Sequence, residues 1–132
     1  MQKQFVHQPR PVLINSWEAV YFDFNHAKLM EIAKAAKELG VDLFVLDDGW
    51  FGNRNNDSVS LGDWTENKTK LPRGLAGLAE DLKKEGLKFG LWLEPEMISE
   101  NSRLYEEHPD WCLHVPGRPV TRGRYQLVLD LS

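Results

Sequence analysis

The stretch Val41-Asp42-Leu43-Phe44-Val45-Leu46-Asp47-Asp48-Gly49-Trp50 decides the fold. Its first six residues are nearly continuous in large apolar side chains, the pattern of a strand covered on both faces in a parallel sheet. The run breaks abruptly at two carboxylates and a glycine. Upstream, from His26 to Leu39, the residues Leu29, Met30, Ile32, Ala33, Ala36 and Leu39 recur at steps of three and four, while Lys28, Glu31, Lys34, Lys37 and Glu38 face away. That spacing predicts an amphipathic helix, with Asn25 as its N-cap and Gly40 as its stop. Before it, Val12-Leu13-Ile14, bounded by Pro11 and Asn15-Ser16, reads as a first buried strand.

Downstream, residues 51–73 are rich in Asn, Asp, Ser and Gly and show no period, so they form a loop longer than the usual connection. Helical spacing resumes from Gly74 to Glu85 through Leu75, Leu78, Ala79 and Leu82, with Gly86 as its stop. Leu87 to Leu93 is strand-like again and ends at Glu94-Pro95-Glu96. Ser99 to Glu107 reads as a shorter helix ended by Pro109, and Tyr125 to Leu131 as a fourth strand. The order strand, helix, strand, helix, strand, helix, strand is α/β architecture with right-handed crossovers. A four-stranded parallel sheet of this kind has two raw edges and a face with nothing to pack against.

Composition narrows the functions. The chain has 132 residues, 42% hydrophobic and 27% charged, the profile of one globular unit. Its formal net charge of −4 gives no electrostatic footprint for nucleic acid, and the basic cluster Arg118, Arg122 and Arg124 is too small to track a phosphate backbone. The single cysteine, Cys112, cannot form an internal disulfide, which fits a reducing, cytoplasmic compartment. No apolar run approaches the ~20 residues of a membrane span, and the N-terminus lacks a signal-peptide core. The Asn-x-Ser/Thr matches at Asn56 and Asn67 therefore carry no glycosylation signal.

The chemistry gathers at strand ends. Trp17-Glu18 follows the first strand, Asp47-Asp48 the second, Trp92 and Glu94 the third, and Asp130 lies at the fourth. In a parallel sheet these ends share one rim, where such folds place their sites. A single carboxylate after a strand serves as well to cap the next helix; the tandem Asp47-Asp48 shifts the balance toward a site. Ionised carboxylates only accept hydrogen bonds, and a sugar offers many hydroxyl donors. Of the five tryptophans, Trp50, directly after Asp48-Gly49, is expected to face a sugar ring, and Trp111 to fill core.

The residues Asp47, Asp48, Asp57 and Asp63 are poorly spaced for a divalent cation, and His7, His26, His108 and His114 form no ligand pairing, so no metal and no cofactor is expected. A reactive Cys112–His114 dyad is weighed and set aside for a structural cysteine. Neither a GxSxG elbow nor a GxGxxG phosphate loop occurs.

Four motifs in order carry a resemblance. They are Trp17-Glu18-Ala19 with Tyr21-Phe22-Asp23-Phe24-Asn25, then Phe44 through Arg54 around Asp47-Asp48-Gly49-Trp50, then Gly90-Leu91-Trp92-Leu93-Glu94-Pro95-Glu96-Met97, then His108-Pro109-Asp110-Trp111. Together they resemble the successive signatures of melibiase-type bacterial α-galactosidases. The resemblance implies a retaining glycosidase whose catalytic domain is a (β/α)₈ TIM barrel between an N-terminal β-sandwich and a C-terminal β domain. A full barrel takes about 250 residues, so this chain would supply a partial barrel, about the first four strands with three intervening helices. Residues 12–132 would form that first half and residues 1–11 an N-terminal extension or linker.

The resemblance also implies that Asp47 and Asp48 hold galactose hydroxyls, that Trp17 and Trp92 line the pocket, and that Arg124 faces the sugar. Read without the family, Asp47 or Asp48 with Glu94 or Glu96 would be the candidates for the carboxylate pair of a retaining glycosidase, which stands about 5 to 5.5 Å apart. The family instead carries its nucleophile in a Lys-Trp-Asp motif after a later strand and its acid/base further on. No catalytic residue is therefore assigned here, and the chain alone is expected to be inactive. The alternatives are a stand-alone carbohydrate-binding module and a half-barrel completed by a partner chain. The uncovered sheet face points to self-association, as a homo-oligomer.

Overall fold

A computed structural model describes residues 8–120 and 122–132. Its centre is a three-stranded parallel sheet in the order β1-β2-β3, with β1 at Leu13–Asn15, β2 at Leu43–Leu46 and β3 at Lys88–Leu91. The apolar run Val41–Leu46 supplies the middle strand, over Leu43–Leu46. Phe44 pairs with Ile14 on one side and Phe89 on the other. The extension expected over 1–11 lies partly outside the described residues, and residues 8–11 are exposed.

Directly after β1, the short helix α1 (Trp17–Val20) turns the chain along the rim. It has too few residues to leave a periodic signal. Helix α2 (His26–Glu38) then crosses back, started by the side chain of Asn25, which accepts from the Lys28 N–H. Helix α3 (Gly74–Lys84) makes the second crossover and stops before Gly86. Both pack on the same side of the sheet. Leu29 and Ala33 of α2 and Leu78 and Leu82 of α3 close over Phe44 and Leu46, all at 0% exposure. The opposite face remains open, with Leu13 at 53% exposure and Leu43 and Val45 half-buried.

The last third departs from the expected plan. The segment Tyr125–Leu131 does not add a fourth parallel strand. Only β5 (Leu127–Val128) forms, and it pairs antiparallel with β4 (Met97–Ile98). The physical reason is that its backbone groups are already taken. Leu129 N–H donates to Glu96 O, Asp130 N–H to Trp111 O, and Val128 O accepts from Leu113 N–H. The helix expected over 99–107 is present only as α4 (Arg103–Glu107).

Ser99 is the cause of that shortening. It is buried, its N–H donates to Leu61 O, and its carbonyl accepts the Ser102 hydroxyl. Ser102 becomes the N-cap, accepting from Tyr105 N–H, and Asp63 accepts from Arg103 and Leu104 N–H. A 3₁₀ turn over Pro109–Trp111 follows. Ile98, Cys112 and Leu127 then form a second, smaller core.

Candidate functional site

The rim at the C-terminal ends of β1, β2 and β3 holds a cavity of about 340 Å³. Asp47, Asp48, Trp17, Trp92 and Arg124, the five residues singled out from sequence, all line it, together with Phe22, Arg54, Asp57, Glu94 and Gln126. Each arrives from its own element. Trp17 opens α1, the two aspartates leave β2, Trp92 leaves β3, and Arg124 comes from the turn before β5. That turn is closed by reciprocal backbone bonds between Gly123 and Gln126, and Arg124 occupies its left-handed position at φ 57°.

The two aspartates differ. Asp47 is half-buried, and its N–H donates to the Ser16 hydroxyl at 3.0 Å. One carboxylate oxygen accepts from Asp48 N–H and the other from the Asn15 amide. The Asn15 carbonyl oxygen accepts in turn from Trp17 N–H at 2.7 Å, so one amide ties Asp47 to the entry of α1. Each Asp47 oxygen keeps one lone pair for a ligand.

Asp48 is buried against Arg54. Arg54 Nε donates to both carboxylate oxygens at 3.0 and 3.1 Å, and Nη2 donates to Oδ2 at 2.8 Å. Nη1 goes to Val59 O at 2.9 Å. With Arg54 at 1% exposure, this is a desolvated, charge-assisted pair. Oδ2 thus accepts twice, and the remaining free acceptor position lies on Oδ1.

Gly49 makes the turn after Asp48 with φ 99°, and a Cβ there would come within 3.1 Å of the Phe22 ring and 3.2 Å of Phe24. Glu94 hydrogen-bonds weakly to Gln126 at 3.3 Å. Burial first, then the neighbouring Glu96 charge, raises its carboxyl above the ordinary glutamate range.

Two tryptophan expectations are corrected. Trp50 does not face the rim; it is 3% exposed and packs with Phe51 and Trp64. Its indole N–H donates to Trp92 O at 3.1 Å, so it props the residue that does line the cavity. The Asp-Gly turn reverses the chain and swings the following side chain into the core. Trp111, expected in core, is 44% exposed and stacks on His108 at 3.8 Å.

The other sequence candidates disperse. His26 Nε2 lies 3.1 Å from Asp81, His114 Nδ1 meets the Cys112 carbonyl oxygen, and burial pushes the Cys112 thiol up. His7 lies outside the described residues. Among the described residues no three His, Cys, Asp or Glu side chains gather to hold a metal, and no helix is long and apolar enough to cross a membrane. Sequence reading missed Arg54, Asn15 and Lys70. A cation six residues after Asp48 inside the same motif was the available signal for Arg54.

The fold and this rim define an α/β protein with a cavity at the carboxyl ends of its parallel strands, where barrel and doubly wound folds place their sites. The chain belongs to the Melibiase family, whose model matches residues 1–132. It is 62% identical over 128 residues to α-galactosidase AgaA of Geobacillus stearothermophilus, covering 97% of this chain and 18% of that protein. It is 57% identical to α-galactosidase Mel36A of Lactobacillus acidophilus, over all of this chain and again 18% of the relative.

Among solved structures, the GH36 α-galactosidase AgaA from Geobacillus stearothermophilus superposes with a TM-score of 0.92 at 63% identity, covering 96% of this chain and 18% of that one. A variant of that enzyme was solved in complex with stachyose and another in complex with raffinose. The chain thus spans about 18% of the length of these relatives.

Proposed function

We propose that this chain is the opening part of the catalytic domain of a retaining α-galactosidase that hydrolyses terminal non-reducing α-D-galactosyl residues in the cytoplasm. In this reading residues 12–132 are the first half of a (β/α)₈ barrel and residues 1–11 lead into it. The parallel β1-β2-β3 sheet would be a sector of that barrel, with β4 and β5 as a separate antiparallel pair closing a long excursion after β3. Asp47, Asp48, Trp17, Trp92 and Arg124 hold the galactose. The nucleophile and the acid/base come from segments outside this chain, so the 132 residues alone bind part of the sugar and do not cleave it.

The observation that carries the reading is the convergence of five residues from four separate segments on one cavity. Its polar inventory suits a hexose. Asp47 offers acceptors to hydroxyl donors, Arg124 offers donors to hydroxyl oxygens, and Trp17 and Trp92 supply apolar surface for a ring face. The 62% identity to an α-galactosidase supplies the substrate class. Titration of the chain with galactose, followed by tryptophan fluorescence, tests it. Saturable binding weakened by Asp47→Asn is expected, with no release of nitrophenol from a chromogenic α-galactoside. Hydrolysis by the pure chain would overturn the assignment of the catalytic pair to other segments.

A stand-alone carbohydrate-binding module is the second reading, favoured by one fact: this chain assembles the cavity from its own residues. It would bind galactose with the affinity of a complete receptor, and adding the remaining barrel segments would leave that affinity unchanged. The open sheet face around Leu13 supports self-association or a partner that completes the half-barrel. Sedimentation that finds a compact monomer at all concentrations would refute the self-association.

A further inference from the structure

Lys70 lies in the long loop between β2 and α3 and is 9% exposed. An ammonium group has three donors and is costly to bury unless each is used. All three go to main-chain carbonyls: Gly49 at 2.8 Å, Phe22 at 3.0 Å and Arg54 at 3.1 Å. The Phe24 ring stands under the charge at 4.7 Å. Those carbonyls belong to three different places in the site. Phe22 and Arg54 line the cavity themselves, and Gly49 follows Asp48 directly.

The lysine is itself held. Its N–H donates to the Asn67 side chain, and its carbonyl accepts from His26 N–H at the start of α2. Asn67 binds the loop after β2 twice more, through Gly52 O and Trp50 O. A single side chain therefore connects the turn after α1, the turn after β2 and the segment carrying Arg54 to one anchored point.

We propose that Lys70 is a positioning residue for sugar binding: by tying the Arg54 main chain to those of Gly49 and Phe22 it holds Arg54, and through it the Asp48 carboxylate, in the orientation that meets the sugar. This rests on the galactose reading of the rim, and it adds a residue that lines no part of that cavity. Burial drives the Lys70 ammonium pKa down, while the nearby Asp48 and Asp23 charges oppose the shift. A lysine that only stabilised the fold would leave the Asp48–Arg54 geometry of every folded molecule untouched.

The test uses the full chain, ¹⁵N-labelled, with Lys70→Met and Lys70→Arg variants and galactose as the probe. The Arg54 Nε–H resonance reports the ion pair without any sugar present. In folded Lys70→Met it is expected to shift and lose exchange protection, and galactose affinity to fall roughly tenfold, about 1.4 kcal/mol; Lys70→Arg recovers part of both. An unchanged Arg54 signal and unchanged affinity, with only a lower melting temperature, would overturn the proposal. Should Lys70→Met not fold, the unsubstituted chain decides: a slowly exchanging Lys70 Nζ signal that moves together with Arg54 Nε on galactose addition supports it, and a fast-exchanging or unresponsive Nζ refutes it. If Arg54 responds to Lys70→Met but no variant binds galactose, the galactose reading fails and the sugar-positioning role fails with it, whereas binding that is indifferent to Lys70 sinks the positioning role alone.

Discussion

Leu46 and Leu127 are both leucines on short strands, at 0% and 2% exposure, yet they sit in cores of different extent. Leu46 lies among residues from both crossover helices and from the loop after β2, including Leu29, Leu78, Phe51 and Leu61. Leu127 has Ile98 and Cys112 as buried companions, with Leu104, Tyr105, Val120 and Leu129 only partly covered. Around it Leu113, Val115, Tyr125, Val128 and Leu131 remain exposed. In the parallel-sheet region successive βα crossovers enclose the strands that carry the rim residues on one face. The C-terminal region depends on docking to residues 59–63. Of the five rim residues, Arg124 alone comes from the weaker side.

This contrast can be broken by measurement. The largest effect is expected for Leu46→Ala, about 4 kcal/mol of stability in urea unfolding, because the surrounding sheet and helices cannot collapse into the void. Next comes Arg54→Met, about 3 kcal/mol, since it strands the buried Asp48 carboxylate; adding Asp48→Asn should return part of that loss in a double-mutant cycle. Leu127→Ala should cost only about 2 kcal/mol, because the half-exposed neighbours can relax inward. Equal losses for the two leucines would erase the distinction between the cores.

The smallest effect is electrostatic and lies on the sheet side. Lys84 and Arg73, through hydrogen bonds to Asp81, lower its carboxyl from the ordinary 3.8 to about 2. A depressed folded-state pKa gives stability that is present above pH 3.8 and is lost as pH falls through about 2. The unfolding midpoint of the chain should therefore drop across that window, and Asp81→Asn should flatten the drop. An identical acid profile in the variant would remove Asp81 from the account.

Periodic elements are legible in the amino-acid sequence alone. Helices α2 and α3 repeat their apolar residues every three or four positions, and β2 is a continuous apolar run, so local pattern and final burial agree. The four-residue α1 and the β4–β5 pair were not legible, because two residues cannot show a period and their partner is chosen by hydrogen bonds from distant segments. The same limit hid Lys70. A lysine in a polar loop reads as a solvated charge, and only carbonyls arriving from residues 22, 49 and 54 make it an internal one.

By itself the amino-acid order determined that this chain builds α/β crossovers and that its carboxylates and indoles stand at strand ends, since both follow from spacing along one segment. Tertiary structure decided which of those groups remain available. Asp47 keeps a free acceptor position on each oxygen, Asp48 keeps one on Oδ1 beside its pair with Arg54, and Trp50 turns inward to support Trp92. Hydrogen-bond donors and acceptors are consumed by whichever groups meet in three dimensions, and that meeting is fixed by packing between segments rather than by sequence within one.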